Sequence, residues 1–535
     1  MFVHREPGSH VPAPAAHRSK SARRPGALPS AGTMRSQLEE MNARAAELRD
    51  LERVLSVLRW DQRVNLPPGG AAARARQTQR LAALHHAHLI DPELGELIEV
   101  LGEADGLSPL DRASVARLRR RRDHAVRVPA RGGGELALAT SLGYSAWEQA
   151  RPRNDFEAFV PHLERIVELE REQAEALGYE GEPYDALLDL FEEGATVAEV
   201  EPMLRGLAAE LRPLLDRVLQ SGIDPGRIPP GPYPKWAQLQ YATGLAGRLG
   251  YDLERGRVDL SAHPFEINLG EGDVRITTRY FEDDFIRGLL GAAHETGHAL
   301  YEQGLPDDLT DSYAGMAPSH GAHESQSRLW ENHVARSLPF FEAELPHLCQ
   351  HLGALRGVGA ETIFRAANRV QPSLIRVEAD EVTYPLHIVV RFEVELALMR
   401  REIGVREMPE AFNQAMRRHL GIVPPDHRDG VMQDSHWGQG FIGYFPTYAM
   451  GSVYAAAIFE RICESLGGLE AVEADIRAGR FDRILAWLRS NFHSLGSTVR
   501  TRELMARAAG IPADGPIDVA PFLRHLRRRT GQVYG

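Results

Sequence analysis

The run Gly291-Ala292-Ala293-His294-Glu295-Thr296-Gly297-His298-Ala299-Leu300-Tyr301-Glu302-Gln303 contains the pattern H-E-x-x-H. Ile286, Leu289, Leu290 and Ala293 lead into it at helical spacing, and Leu300 and Tyr301 carry the spacing on. No proline falls between Asp283 and Gly304, and either Asp283 or Asp284 can cap the start. On a helix, His294 and His298 stand one above the other on one face. Two imidazoles so placed grip one metal ion, and Glu295 is offset enough to reach a water rather than the metal. The pattern points to a water-activating zinc hydrolase, most often a peptidase.

Working outward, residues 256–280 change character. Val258 to Leu269 and Val274 to Tyr280 alternate like strands, with Gly270-Glu271-Gly272 between them. This predicts a β-hairpin just before the metal helix. Elsewhere the periodicity is helical. From Met34 the apolar residues recur at threes, fours and sevens until Pro67-Pro68-Gly69-Gly70 breaks the pattern. Amphipathic segments follow near 71–87, 108–127, 155–177 and 195–220, and after the metal helix at 321–337, 361–370, 386–403, 409–420 and 449–464. The expected fold is mainly α, a single catalytic unit over 34–535 split into two lobes by a cleft, with one small sheet beside the metal helix. Residues 1–33 are rich in Pro, Ser, Ala, Arg and Gly without periodicity, and read as a disordered N-terminal extension.

Composition excludes several classes. Hydrophobic residues make up 43% of 535, enough for a substantial core. A net charge of −12 argues against a general nucleic-acid binder. The Arg119–Arg122 run lacks the aromatics that stack bases and reads as a solvated helix face. Cys349 and Cys463 are far apart, so structural disulfides are not expected and a reducing cytoplasm fits. No apolar run approaches the ~20 residues that span a bilayer.

A catalytic zinc takes three protein ligands. The third lies downstream, in His320-Gly321-Ala322-His323-Glu324-Ser325. Glu324 is favoured, with His320 and His323 as rivals, and a carboxylate interacting with a helix N-terminus is the alternative reading of Glu324. Zinc lowers the pKa of a bound water toward about 7, and Glu295 then serves as general base.

Six segments together resemble the carboxypeptidase Taq family of metallocarboxypeptidases. They are His263-Pro264-Phe265, Asp273-Val274-Arg275-Ile276-Thr277, His294 to His298, His323-Glu324-Ser325, Ile375-Arg376-Val377-Glu378-Ala379-Asp380, and Gly430 to Trp437 with Gln433, Asp434 and His436. They fit H-P-F, D-x-R-x-T, H-E-x-x-H, H-E-S, I-R-x-x-A-D and G-x-x-Q-D-x-H-W in the expected order. The resemblance covers the chain from about Met34 to near its end. It implies a divalent-metal exopeptidase that removes single residues from peptide C-termini with broad specificity, using zinc or cobalt. It also implies a mainly helical homodimer with a long deep groove, similar in fold to angiotensin-converting enzyme and neurolysin. Carried over, the ligands are His294, His298 and Glu324, and the general acid/base is Glu295.

On a strand, Asp273, Arg275 and Thr277 share a face. An arginine so placed suits a bidentate grip on a carboxylate, which a carboxypeptidase needs at its substrate's free end. Arg376 is the favoured reader of that carboxylate, assisted by Arg275. An ion pair that only braces its surroundings is the alternative for either. His436 with Tyr448 or Tyr444 is the expected source of oxyanion donors, with core packing as the alternative for the tyrosines. His263 is expected to shape the substrate cleft, since Pro264 makes its segment extended. Within the same chemistry, an oligopeptidase or dipeptidyl carboxypeptidase is the rival reading; outside it, a non-catalytic peptide-binding protein.

Overall fold

The computed structural model describes residues 31–128 and 130–535. The expected extension falls outside the described residues as far as residue 30. From Ala31 the chain is helical, and the first helix runs Ala31–Val64. It stops just short of Pro67-Pro68, because proline lacks an N–H and disfavours helix in the residue before it. Helices Ala71–Leu89, Pro109–Arg127, Phe156–Leu177 and Val197–Gln220 match the amphipathic segments. Two of them begin on clear caps: Ser108 Oγ accepts from the Asp111 N–H (3.1 Å) and Asp155 from the Ala158 N–H (3.1 Å). The structure is mainly helical, with twenty α-helices and one small sheet among the described residues. Its buried apolar residues form two large clusters and one small one of Ala242, Tyr280 and Ala292 among the described residues. Met41, Leu48, Leu94, Ile98, Leu101 and Leu118 form the smaller of the large pair, between the N-terminal helices, and the larger runs from Ala150 toward the C-terminus.

The Arg119–Arg122 run is a seam rather than a solvated face. Arg119 donates to the Ile98 carbonyl (3.0 Å), Arg120 pairs with Asp189 (2.9 Å), Arg121 lies 3.7 Å from Glu52 and Arg122 donates to the Asp91 carbonyl (3.5 Å).

The hairpin exists, with a correction. The expected strand over Val258–Leu269 is two strands, β1 (Val258–Leu260) and β2 (Phe265–Asn268), and β3 spans Val274–Thr278. The sheet order is β1-β3-β2; β2 pairs antiparallel with β3, and β1 runs parallel to it. The chain leaves the sheet at Ser261–Pro264 and re-enters on the other side of β3. Thr277 ties that crossing: its Oγ1 accepts from the Phe265 N–H (3.0 Å) and lies 2.7 Å from Ser261 Oγ. The turn between β2 and β3 needs Gly270 and Gly272, at φ +140° and +71°.

The sheet lies against helix Phe285–Glu302, whose N-cap is Asp284, accepting from Ile286 N–H (3.0 Å) and Arg287 N–H (3.3 Å). Ile286, Leu289, Leu290, Ala293, Leu300 and Tyr301 are all buried, as the periodicity predicts. Gly297 lets this helix touch the next backbone: a Cβ there would sit 2.7 Å from the Gln326 carbonyl oxygen. The helix expected over 321–337 is α-helical at His320–Arg328 and then widens into a π-helical turn, Leu329–Ala335. Helix Phe445–Ser465 starts earlier than the expected 449, because Pro446 fits the first turn, where its missing N–H costs nothing. Its Gly451 lies on Glu324; a Cβ there would be 2.6 Å from Glu324 Cβ and 2.5 Å from its Cγ. Helices Ala360–Ala367, Tyr384–Met399 and Met408–Leu420 complete the expected set.

Candidate active site

His294 and His298 turn their Nε2 atoms to the same point. Glu324 Oε2 lies 3.7 Å from the first and 3.4 Å from the second. The three donor atoms lie within 4.8 Å of one another, the only such group among the described residues. Bonds of about 2.0–2.2 Å around a tetrahedral ion put donor atoms about 3.4 Å apart, so two imidazoles and one carboxylate fit a divalent metal.

Each donor is held from behind. His294 Nδ1 lies 2.9 Å from Glu331 Oε2, on the π-helical turn, and Glu331 also accepts from Arg336 (3.0 Å) and Arg328 (3.3 Å). His298 Nδ1 lies 2.6 Å from His323 Nδ1, and His323 Nε2 is 3.0 Å from Glu302. The other Glu302 oxygen accepts from Asn268 on β2 (2.7 Å), so the small sheet reaches the site through two side chains. Arg328 Nε donates to Glu324 Oε1 (2.6 Å). Burial works to raise the Glu324 pKa, but Arg328 and the two histidines hold it well below the usual carboxylate range. Burial, with His323 beside it, pushes His298 down to about 3, which favours the neutral ring that binds metal. Such outer partners fix the tautomer and orientation of a ligand, and losing one typically costs 10–100-fold in metal affinity. Glu331→Gln is therefore expected to weaken metal binding by about that factor, measured by competition with a chromophoric chelator; unchanged affinity would contradict it.

The rival histidines stand elsewhere. His323 is behind His298, and His320 faces the rings of Tyr444 (5.2 Å) and Phe191 (5.7 Å). Glu295 is not one of the three donors, although its carboxyl feels the charges of His294, Glu324 and His323. It is 6% exposed and takes no hydrogen bond among the described residues, and burial pushes its carboxyl up to about 7.

Across the site are His436, Tyr444 and Tyr448. His436 Nε2 lies 3.3 Å from the Tyr448 hydroxyl, and the tyrosine rings meet edge to face at 5.1 Å. Burial, with Arg376 nearby, lowers the His436 pKa to about 3. The loop joining them is clamped by buried Glu395, which accepts from the Trp437 indole N–H (2.7 Å), the Gly443 N–H (3.1 Å) and the Tyr184 hydroxyl (2.7 Å).

Both arginines are ion-paired. Arg275 grips Asp273 through Nε and Nη2 (both 2.7 Å) and covers the Trp60 ring at 4.3 Å. Arg376, 4% exposed, donates from Nε (3.0 Å) and Nη2 (2.8 Å) to Asp434 and from Nη1 to Tyr384 (3.2 Å). Arg391 holds the other Asp434 oxygen at 2.7 Å. Three of the five Arg376 N–H groups are engaged, leaving one on each Nη. Its guanidinium carbon lies 5.0 Å from the Tyr448 ring centre. His263 is exposed in the β1–β2 crossing, with Nδ1 2.9 Å from the Pro264 carbonyl.

Sequence reasoning missed Glu331, Arg328, Glu302 and Glu395, and named Asp434 only within a motif, without a role. Arg328 and Glu331 follow Glu324 by four and seven residues, and Glu302 follows His298 by four, so same-face helical spacing was an available signal. Glu395 carried none.

Comparison with known proteins bears on what this geometry is for. Thermostable carboxypeptidase 1 of Thermus thermophilus is 46% identical over 490 residues, spanning 89% of this chain and 94% of its own. Carboxypeptidase 1 of Bacillus subtilis is 35% identical over 90% of this chain and 95% of its own. The solved M32 carboxypeptidase from Deinococcus radiodurans R1 superposes with a TM-score of 0.88 at 37% identity, covering 94% of this chain and 100% of that one. A Pyrococcus furiosus carboxypeptidase gives 0.89 at 37% identity, covering 92% and 99%. The family model described as carboxypeptidase Taq (M32) metallopeptidase matches residues 40–530. With that match across nearly its whole length, the chain belongs to the carboxypeptidase Taq (M32) family and is a metallocarboxypeptidase.

Proposed function

We propose that this metallocarboxypeptidase releases single residues from the free C-termini of peptides with broad specificity, holding one divalent metal on His294, His298 and Glu324. The observation that carries this reading is the convergence of the three donors near Glu295, a separate carboxylate that accepts no hydrogen bond among the described residues. The two-histidine, one-carboxylate set favours zinc, and cobalt is compatible with the same donors. When bound, the ion supplies Lewis acidity toward an attacking water and a substrate carbonyl. Glu295 takes a proton from the water and later passes it to the leaving amine. The Tyr448 or Tyr444 hydroxyl, with His436 beside it, donates to the oxyanion of the tetrahedral intermediate. Arg376 offers its two remaining N–H groups to the terminal carboxylate, Arg275 assists, and exposed His263 lines the cleft. We further propose one catalytic domain over 34–535 preceded by an extension over 1–33, a homodimer, and a cytoplasmic location. No described helix is long and apolar enough to cross a membrane.

The end of the peptide tests the reading. Amidating the substrate's C-terminus is expected to abolish cleavage, while N-acetylation changes little. Mass spectrometry of a peptide mixture should show a ladder of C-terminal truncations that a chelator stops. Cleavage of amidated peptides at the same rate, or release of dipeptides, would favour an oligopeptidase or dipeptidyl carboxypeptidase instead.

A further inference from the structure

Phe441 is a large apolar side chain left 39% exposed beside the half-buried rings of Phe191 and Tyr444. Its position is held. It lies in Gly438-Gln439-Gly440-Phe441-Ile442-Gly443, where Gly440 and Gly443 take φ of +75° and +92°. The Phe441 N–H donates to the His436 carbonyl (3.0 Å), and the Gly443 N–H donates to buried Glu395 (3.1 Å). A turn fixed at both ends and closed by buried Ile442 presents this ring outward by construction.

The ring faces others. Phe191 stands edge-on to Phe441 (6.3 Å, 84°), Tyr444 (5.1 Å, 88°) and His320 (5.7 Å, 66°). His320, exposed, also stands edge-on to Tyr444 (5.2 Å, 69°). On the other side of Tyr444, Tyr448 leads to Arg376. Ring contacts run from Arg376 through Tyr448 and Tyr444 to the Phe191–Phe441 wall, and Phe441 also meets His436 at 6.3 Å.

We propose that Phe191 and Phe441 form a subsite for an apolar or aromatic side chain on the N-terminal side of the bond that is cut. This rests on the reading above that the free carboxylate lies at the Arg376 end. The tyrosines then flank the reacting carbonyl, and the wall beyond Tyr444 meets the penultimate residue, which departs on the shortened peptide. Aromatic rings meeting edge to face give a side chain a dry, shaped contact, and apolar pockets of this kind discriminate by about tenfold or more.

The test uses free-acid peptides that share one terminal residue and differ only in a penultimate Phe or Ser. The wild-type enzyme is expected to prefer Phe by about tenfold or more in kcat/KM. Phe441→Ala, and more fully Phe191→Ala with Phe441→Ala, should bring the ratio toward one, and Phe441→Leu should retain part of it. A wild-type enzyme without the preference overturns the proposal. So does a ratio unmoved by Phe441→Ala, or an equal loss on both peptides. Amidated versions run alongside separate the two readings: their cleavage would refute the carboxylate end, whereas the Phe/Ser ratio reports on the wall.

Discussion

Replacing Glu295 by glutamine is expected to lower kcat by about 10²–10⁴-fold while the protein keeps its full metal content. Glutamine has nearly the same volume, so the packing of helix Phe285–Glu302 is preserved. What it lacks is the ability to accept a proton. Glu295 stands outside the group formed by His294, His298 and Glu324, and no other side chain holds its oxygens among the described residues. Burial works to raise its carboxyl above the ordinary carboxylate range, which strengthens it as a proton acceptor. Metal analysis and steady-state kinetics on one preparation check both halves. Wild-type turnover in the variant would refute the assigned role, and loss of metal would place Glu295 among the ligands.

Glu324→Ala is expected to have the second large effect, loss of metal and with it of activity. Removing an outer partner costs 10–100-fold in affinity, and removing a ligand should exceed about 100-fold. The structure gives no substitute. His323 is turned toward Glu302 behind His298, and His320 faces Phe191 and Tyr444. The change also strips Arg328 of one partner. Since Glu331 remains 3.3 Å away, the loss of stability should fall at or below the low end of the roughly 3–5 kcal/mol typical of broken buried pairs. Elemental analysis after dialysis checks the first effect and thermal unfolding the second. Full metal content would return His320 or His323 to candidacy.

The sequence made the metal helix readable because its evidence is local: apolar residues at threes and fours, a capping aspartate, and two histidines one turn apart. Most longer helices were legible for the same reason. The split between β1 and β2 was not, because alternation continues through His263-Pro264 while the chain crosses over β3, and alternation carries no information about which strand is the neighbour. The π-helical turn was hidden because a single extra residue barely disturbs a periodic pattern, although it is the turn that carries Glu331 to His294. Arg376 was legible as the candidate reader of a terminal carboxylate. Its engagement with Asp434 spans 58 residues of sequence and emerges only when the helices are assembled. Glu395 lay deepest from view: it looks like any helix residue, and its three donors come from two distant segments.

The contact between Gly451 and Glu324 bears on when order is acquired. With no side chain at 451, one helix lies directly on the β and γ carbons of the Glu324 carboxylate arm, and Arg328 fixes its far oxygen. The rotamer freedom that a glutamate ordinarily surrenders on binding an ion is thus surrendered here during folding. An ion arriving later meets an arm that is already still, so little conformational entropy opposes its capture, and little is regained if it leaves. The position of that arm is set by helices already packed in place.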